Sequence, residues 1–433
     1  MKFYSTKNQS NKVSFQRALL TGLPQDRGLY MPEYIPDFSR IFNQEVQLNF
    51  QELSLLIASG FLDKELSSNE IQNIIENSIT FEAPNHNIYN NLYCLELFHG
   101  PTLAFKDFGA RFMARCMQYF IGKTEKEINI LVATSGDTGS AVAHGFYDVE
   151  GINVIILYPK GKVSDIQEKQ LTTLDKNIYA LEIDGTFDDC QRLVKNAFLD
   201  KSLNTKLQLS SANSINIARL IPQSFYYAHS YLQLSNKSIP TIFSVPCGNF
   251  GNITAGLIAK KMGVPIDKFI ASTNLNDVVP SYMNTGNYNP KESVQTISNA
   301  MDVGNPSNMA RIMDMYDSVD NLCNDMLSWS FNEKKTSDMI QAIYSQNNYL
   351  IDPHSSVAAL GILEYEKLDS KIMNKIFLGT AHPGKFADVV EPIISQSIDL
   401  PKRLERVLSL KKHSMLLNNN YDEFYDYLLT TFQ

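Results

Sequence analysis

From about residue 90 onward, short apolar runs alternate with helix-length segments along this chain. Residues 92–98, 128–133, 152–158, 178–183, 241–245, 269–273 and 376–378 read as buried strands, because runs dominated by apolar residues without strict alternation leave little face for solvent. Helical patterns fall between them, as at residues 141–146 and 253–262. This alternation predicts an α/β fold whose parallel sheets are covered by helices on both faces. Ligands in such sheets bind beyond the carboxyl ends of the strands. The first 80 residues differ: a turn-rich stretch over residues 22–36 precedes a helix after Ser67, where Ser67 and Glu70 form a capping box and Ile71, Ile74 and Ile75 an apolar stripe. The stretch from about 276 to 308 is rich in Asn, Pro, Ser and Tyr, and reads as a loop-bearing insertion suited to move when substrate binds.

Three turns at strand-to-helix junctions carry candidate chemistry. Lys106 stands where the run 92–98 hands over to a helix. The helix macrodipole disfavours a cation there, so any pKa shift should be downward, toward the free amine that condenses with an aldehyde. A solvated surface lysine is the plain alternative. Gly248, Asn249, Phe250, Gly251 and Asn252 follow another apolar run and open a helix; the glycines let backbone approach a ligand and the helix end attracts an anion, as a phosphate cradle requires. An ordinary Gly/Asn turn has the same composition. Ser135, Gly136, Asp137, Thr138 and Gly139 form a polar turn at a third helix start, suited to a carboxylate or to capping alone.

With these motifs in their order, the chain resembles the threonine synthase family of pyridoxal-phosphate enzymes, of fold type II. The likeness rests on Tyr4, Ser5 and Thr6, on residues 22–32, the Lys106 segment, Ser135 to Gly139, Asn213 and Ser214 with Arg219, Gly248 to Asn252, and residues 380–386 (Thr-Ala-His-Pro-Gly-Lys-Phe). The N-terminal 80 residues are similar to the longer bacterial and fungal branch. Arg27 stands where the family usually has glycine, and Gly384 where it more often has alanine.

The resemblance implies two open parallel-sheet domains with flanking helices plus a small N-terminal domain: residues 1–82, a catalytic region 83–395 with the insertion inside it, and a C-terminal helical segment 396–433. It implies pyridoxal 5'-phosphate as cofactor, bound through Lys106 as a Schiff base and held by Asp137, Gly248, Asn249, Phe250, Gly251, Asn252 and Thr380, with the Thr380 hydroxyl on the ring nitrogen. Ser135, Thr138, Gly139, Asn213, Ser214 and Arg219 are the implied substrate contacts, Arg219 gripping a phosphate; alone, it could equally be a surface salt-bridge partner. His99, Lys162 and Lys385 are weaker candidates for the phosphate environment. The implied reaction converts O-phospho-L-homoserine and water to L-threonine and phosphate by γ-elimination and β-addition, the last step of threonine biosynthesis. Another fold type II reaction, such as serine/threonine dehydration or β-replacement, and a non-catalytic cofactor-binding paralogue are the alternatives.

Bulk properties narrow the setting. A chain of 433 residues accommodates two or three domains, and a net charge of −8 offers no basic footprint for nucleic acid. No apolar run reaches membrane-span length and the N-terminus lacks a signal-peptide core, so a cytoplasmic enzyme, monomeric or homodimeric, is expected. Cys94, Cys116, Cys190, Cys247 and Cys323 are scattered without CxxC spacing, which suggests reduced thiols and no metal site.

Overall fold

The computed structural model describes residues 1–44, 46–122, 127–134 and 136–433. Its strands in chain order are β1 (Phe3–Ser5), β2 (Asn8–Val13), β3 (Tyr30–Pro32), β4 (Asn85–Tyr89), β5 (Leu92–Glu96), β6 (Ile128–Ala133), β7 (Ile152–Pro159), β8 (Ile178–Asp184), β9 (Leu209–Ser211), β10 (Thr241–Pro246), β11 (Lys268–Thr273), β12 (Met326–Ser330), β13 (Asn374–Gly379) and β14 (Met415–Asn418). One sheet runs β12-β11-β10-β13-β5-β4, parallel except for the β4 edge; another runs β14-β8-β7-β6-β9 and is parallel throughout. A small antiparallel sheet, β2-β1-β3, sits at the N-terminus. Every residue of β6 and β10 is buried, which is why those runs lack the alternation of a one-faced strand.

The helix Ser68–Ser78 begins at the expected box: Ser67 accepts from the Glu70 N–H while Glu70 accepts from the Ser67 N–H at 2.7 Å. Two segments depart from expectation. The insertion 276–308 contains the helix Val278–Thr285 and the 3₁₀ turn Asn299–Met301. Val278, Val279 and Pro280 bury one face of that helix, and the asparagines stand in for missing backbone partners. Asn276 exchanges hydrogen bonds with Val294 N–H and C=O, Asn274 donates to Asp302 at 2.8 Å, and Asp302 accepts from Thr296 N–H. The C-terminal segment, expected to be helical, also contributes the edge strand β14 beside β8. Three of its four residues are exposed, so the buried-run signature is missing there.

The helix Lys106–Ile121, which follows β5, and the helix Asp137–Phe146, which follows β6, cross closely enough that a Cβ on Gly145 would lie 3.0 Å from the Ala110 backbone. That crossing packs the last turn of one helix on the early turns of the other and joins the two sheets, and Asp137 at the start of its helix is in electrostatic reach of Lys106 at the start of the other. None of the described helices is long and apolar enough to cross a membrane.

Candidate active site

Five loops leave the carboxyl ends of β5, β6, β9, β10 and β13, and all the implied site residues lie in them or at the helix starts they feed. Lys106 is the first residue of its helix. The preceding turn is tied down by Asp107, whose buried carboxylate accepts from Thr102 N–H at 2.8 Å and Thr102 Oγ1 at 2.7 Å. Burial pushes the Asp107 carboxyl up to about 6 despite those donors. The Phe105 N–H donates to Thr380 O and the Leu97 N–H to Gly379 O, both at 2.9 Å, so the Lys106 turn is stapled to the end of β13.

Lys106 keeps part of its surface open while its amine is enclosed by protein. Its pKa is lowered to about 8, the direction argued from its place at a helix start, but burial is the largest cause; the charges of Lys385 and Arg219 add to it and Asp137 opposes it. Asp137 and Lys385 themselves form a buried ion pair, Oδ1 to Nζ 2.6 Å. Lys385 Nζ also donates to Thr102 O at 2.8 Å, and Gln167 Nε2 donates to Asp137 Oδ1 at 2.9 Å. The neighbouring cations hold the Asp137 carboxyl well below the usual range.

At the end of β10, Phe250 takes a left-handed backbone (φ 58°), and the helix Gly251–Lys261 starts with no side chain capping it. Its first N–H groups thus lack intrahelical partners. Asn252 sits in that first turn, its Oδ1 accepting from the Tyr226 and Tyr227 hydroxyls at 2.6 and 2.7 Å. The two tyrosines fix the amide so that the buried Nδ2 has no partner. An uncapped helix start beside an orphaned donor fits a phosphate. Asn249 is spent on the protein itself: Nδ2 donates to Ser214 Oγ at 2.7 Å and Oδ1 accepts from Ser307 N–H at 2.6 Å. Gly248 answers a packing need, since a Cβ would lie 2.8 Å from Ala300 O and Met301 Cα.

Arg219, in the short helix Ile217–Leu220 beyond β9, is no surface salt-bridge partner. It is 2% exposed, no carboxylate pairs with it among the described residues, Nη1 donates to Ala212 O, and Nε is buried without a partner. Burial brings its pKa down to about 10. It lies along the Lys106 helix, where Gly109 makes room: a Cβ there would be 2.8 Å from Arg219 Nε. Asn213, whose Oδ1 is also buried without a partner, and Ser214 flank it in the same loop. Of the turn after β6, Ser135 lies outside the described residues. Thr138 is half-buried and its hydroxyl makes no hydrogen bond among the described residues, whereas the Gly139 N–H is already given to Thr134 Oγ1 at 2.9 Å. Thr380 is buried at the end of β13, and its side chain makes no hydrogen bond among the described residues.

His99 and Lys162 stand apart from this cluster, His99 bonded to Glu96 at 2.7 Å and Lys162 exposed. Lys385, a weaker candidate in the sequence, proves central, and only its membership of the 380–386 segment signalled it. Asp107, Gln167, Tyr226, Tyr227 and Arg311 carry no sequence signal of their own, because their roles depend on contacts between separate segments.

Comparison with known proteins agrees with this geometry. Residues 72–375 match the family model described as pyridoxal-phosphate dependent enzyme, residues 2–79 that of the threonine synthase N terminus, and residues 357–427 that of the threonine synthase C-terminal region. The chain is 44% identical to the threonine synthase of Haemophilus influenzae, over 99% of this chain and 100% of that one. Among solved structures it is similar to threonine synthase from Escherichia coli (TM-score 0.91, 40% identity, 99% and 100% of the two chains). It is also similar to pyridoxal-phosphate-bound threonine synthase from Brucella melitensis (TM-score 0.94, 32% identity, both chains covered in full at 100%). The uncapped Gly251 helix, the enclosed Lys106 amine and these matches over the whole length together make the chain a member of the threonine synthase family of pyridoxal-phosphate-dependent, fold type II enzymes.

Proposed function

We propose that the chain converts O-phospho-L-homoserine and water to L-threonine and inorganic phosphate. The observation that carries this reading is Arg219: a buried guanidinium with an unused Nε donor, in electrostatic reach of Lys106, is built to grip a second anion beyond the cofactor's own. Asn213 and Ser214 complete that grip from the same loop.

Pyridoxal phosphate, when bound, supplies the electron sink for proton loss at the substrate's Cα and Cβ, release of phosphate from Cγ and addition of water at Cβ. The chain's residues do the rest. Lys106 Nζ would hold the cofactor covalently and, once displaced, take protons from Cα and Cβ and deliver protons to Cγ and Cα, so that Cγ becomes the methyl group; a pKa near 8 suits it to both directions at neutral pH. The first N–H groups of the Gly251 helix and Asn252 Nδ2 bind the cofactor phosphate, within a loop shaped by Gly248, Asn249 and Phe250. The buried Thr380 hydroxyl would hydrogen-bond the cofactor's ring nitrogen and, unlike a carboxylate, would not hold it protonated, which restrains the electron sink. Thr138 and Ser135 hold the substrate carboxylate, while Gly139 gives the turn its shape. Asp137, neutralised by Lys385, orients the cofactor's ring oxygen and sustains the basicity of Lys106.

We divide the chain into residues 1–82, 83–395 and 396–433; the match over residues 2–79 supports the first boundary, while the central match over 72–375 and the C-terminal match over 357–427 overlap. We place the enzyme in the cytoplasm as a monomer or homodimer. Incubating the purified protein with O-phospho-L-homoserine and measuring threonine and phosphate together tests the reaction. Equimolar release is expected; 2-oxobutanoate from serine-type dehydration, or no turnover with cofactor bound, overturns it.

A further inference from the structure

The chain buries two arginines, and they are wired oppositely. Arg219 has spare donors, whereas the side chain of Arg311, 0% exposed, spends its donors on the protein. Its Nε donates to Tyr30 O at 3.1 Å, Nη1 to Asn308 Oδ1 at 2.7 Å and Ser214 O at 3.3 Å, and Nη2 to Ile215 O at 2.7 Å. All four acceptors are neutral. Among the described residues no carboxylate pairs with it, and Asp314, one turn along the same helix, is turned to Tyr4 (2.6 Å) and Gln9 (3.1 Å). A fully buried cation without a counter-charge is costly to the folded chain. Its surroundings point to what offsets the cost. Asn308, which accepts from Arg311, donates through Nδ2 to Asn249 O at 2.9 Å, and a Cβ on Gly251 would lie 3.3 Å from that same Nδ2 and 3.5 Å from Ser214 Cβ. Arg311 thus stands directly behind the start of the Gly251 helix, and its link to Tyr30 ties that place to β3 of the N-terminal sheet.

We propose that Arg311 is a positioning residue that supplies the counter-charge of the cofactor phosphate from behind the Gly248–Asn252 loop, through Asn308 and Ser214 and without touching it. The inference rests on that loop holding the cofactor phosphate. A consequence is that cofactor binding tightens the docking of the N-terminal sheet, because one guanidinium serves both.

The test compares pyridoxal 5'-phosphate with pyridoxal, which lacks the phosphate, in absorbance titrations of the full-length apoprotein, alongside its melting temperature. Asn308→Asp places a carboxylate against Arg311. It is expected to raise the melting temperature of the apoprotein and to weaken pyridoxal 5'-phosphate about tenfold, with pyridoxal unchanged. A merely structural role lowers the melting temperature and weakens both ligands alike, which overturns the proposal. Should Asn308→Asp fail to fold, Arg311→Lys and Arg311→Gln decide: Lys keeps the preference for the phosphorylated ligand and Gln loses it, whereas equal loss, or no loss, in both overturns the charge role. Gly251→Val separates this from the underlying reading. If that variant binds pyridoxal 5'-phosphate as the unaltered protein does, the loop does not hold the phosphate and both ideas fall; if it loses affinity while the Asn308 and Arg311 variants do not, only the Arg311 inference falls.

Discussion

Lys385 and Asp137 form an ion pair (2.6 Å) that is closed off from solvent and acts on Lys106 with opposite signs: Asp137 raises the amine's pKa and Lys385 lowers it. With the folded value near 8, the reactive neutral amine reaches half its full amount near pH 8 and approaches completion about one to two units above that. The rate at which apoprotein captures pyridoxal phosphate is expected to follow that curve. Asp137→Asn moves the midpoint down and Lys385→Met moves it up. Breaking a buried pair costs about 3–5 kcal/mol of stability, but the midpoint is read from the rate profile and is independent of that loss. Shifts of the same sign in both variants would falsify the electrostatic assignment.

Lys106→Ala is expected to abolish turnover and leave the fold intact. Among the described residues the Lys106 side chain makes no hydrogen bond or ion pair, only a contact of its amine with the Phe105 ring at 5.8 Å. Circular dichroism checks the fold, and borohydride reduction with peptide mapping should find the cofactor on Lys106 of the unaltered chain. A label on Lys385 or Lys162 refutes the assignment.

Two glycines of one loop should fail differently. At Gly248 a Cβ meets backbone at 2.8 Å, so Gly248→Ala lowers the melting temperature of the apoprotein. At Gly251 the nearest atom is the Asn308 amide at 3.3 Å, so Gly251→Ala leaves the apoprotein nearly as stable and weakens the cofactor instead. Thermal melts with and without cofactor distinguish the two; identical behaviour contradicts the packing described.

Arg219→Lys keeps a charge but loses the planar fork. The cofactor spectrum should be unchanged while kcat/KM for O-phospho-L-homoserine falls, and Arg219→Ala should cost on the order of 2–5 kcal/mol in transition-state stabilisation. Loss of cofactor from the Lys variant, or unchanged kcat/KM, removes Arg219 from the substrate site.

Arg27, where the family resemblance leads one to expect glycine, has a left-handed backbone (φ 62°). An L side chain is strained there, whereas glycine is not. Arg27→Gly should therefore stabilise the protein by about 0.5–1 kcal/mol, net of the extra freedom glycine gives the unfolded chain. Chemical denaturation measures this, and a destabilised variant shows that the Arg27 side chain earns its place by contacts.

Many strand positions were legible in the sequence because parallel strands buried on both faces are mostly apolar without alternation: the run 128–133 is β6 residue for residue, with the buried Asn129 its one polar residue. The helix after Ser67 was legible because its capping chemistry is local. What stayed hidden is non-local. Lys385 reads as one more lysine beside a turn until β13 places it against a helix start from the other sheet. Arg311 gives no sign that its four acceptors converge from three separate segments. β14 was missed because an exposed edge strand carries little hydrophobic signal. The insertion 276–308 does carry a loop, with a mostly exposed stretch without helix or strand over 287–296, but its helix Val278–Thr285 and the asparagines that replace backbone partners were not legible from composition.

The order of strands in the larger sheet has a consequence for biogenesis. β13 lies between β10 and β5, so the backbone that steadies the Lys106 turn, through Gly379 and Thr380, leaves the ribosome long after Lys106 itself. Until then the amine is unburied and protonated like any other, and a passing aldehyde finds little to react with. Sheet closure late in synthesis both assembles the site and releases the lysine's nucleophilicity. Cofactor loading is thereby expected no earlier than the emergence of β13, and its onset in a nascent-chain series marks the moment at which the sheet is complete.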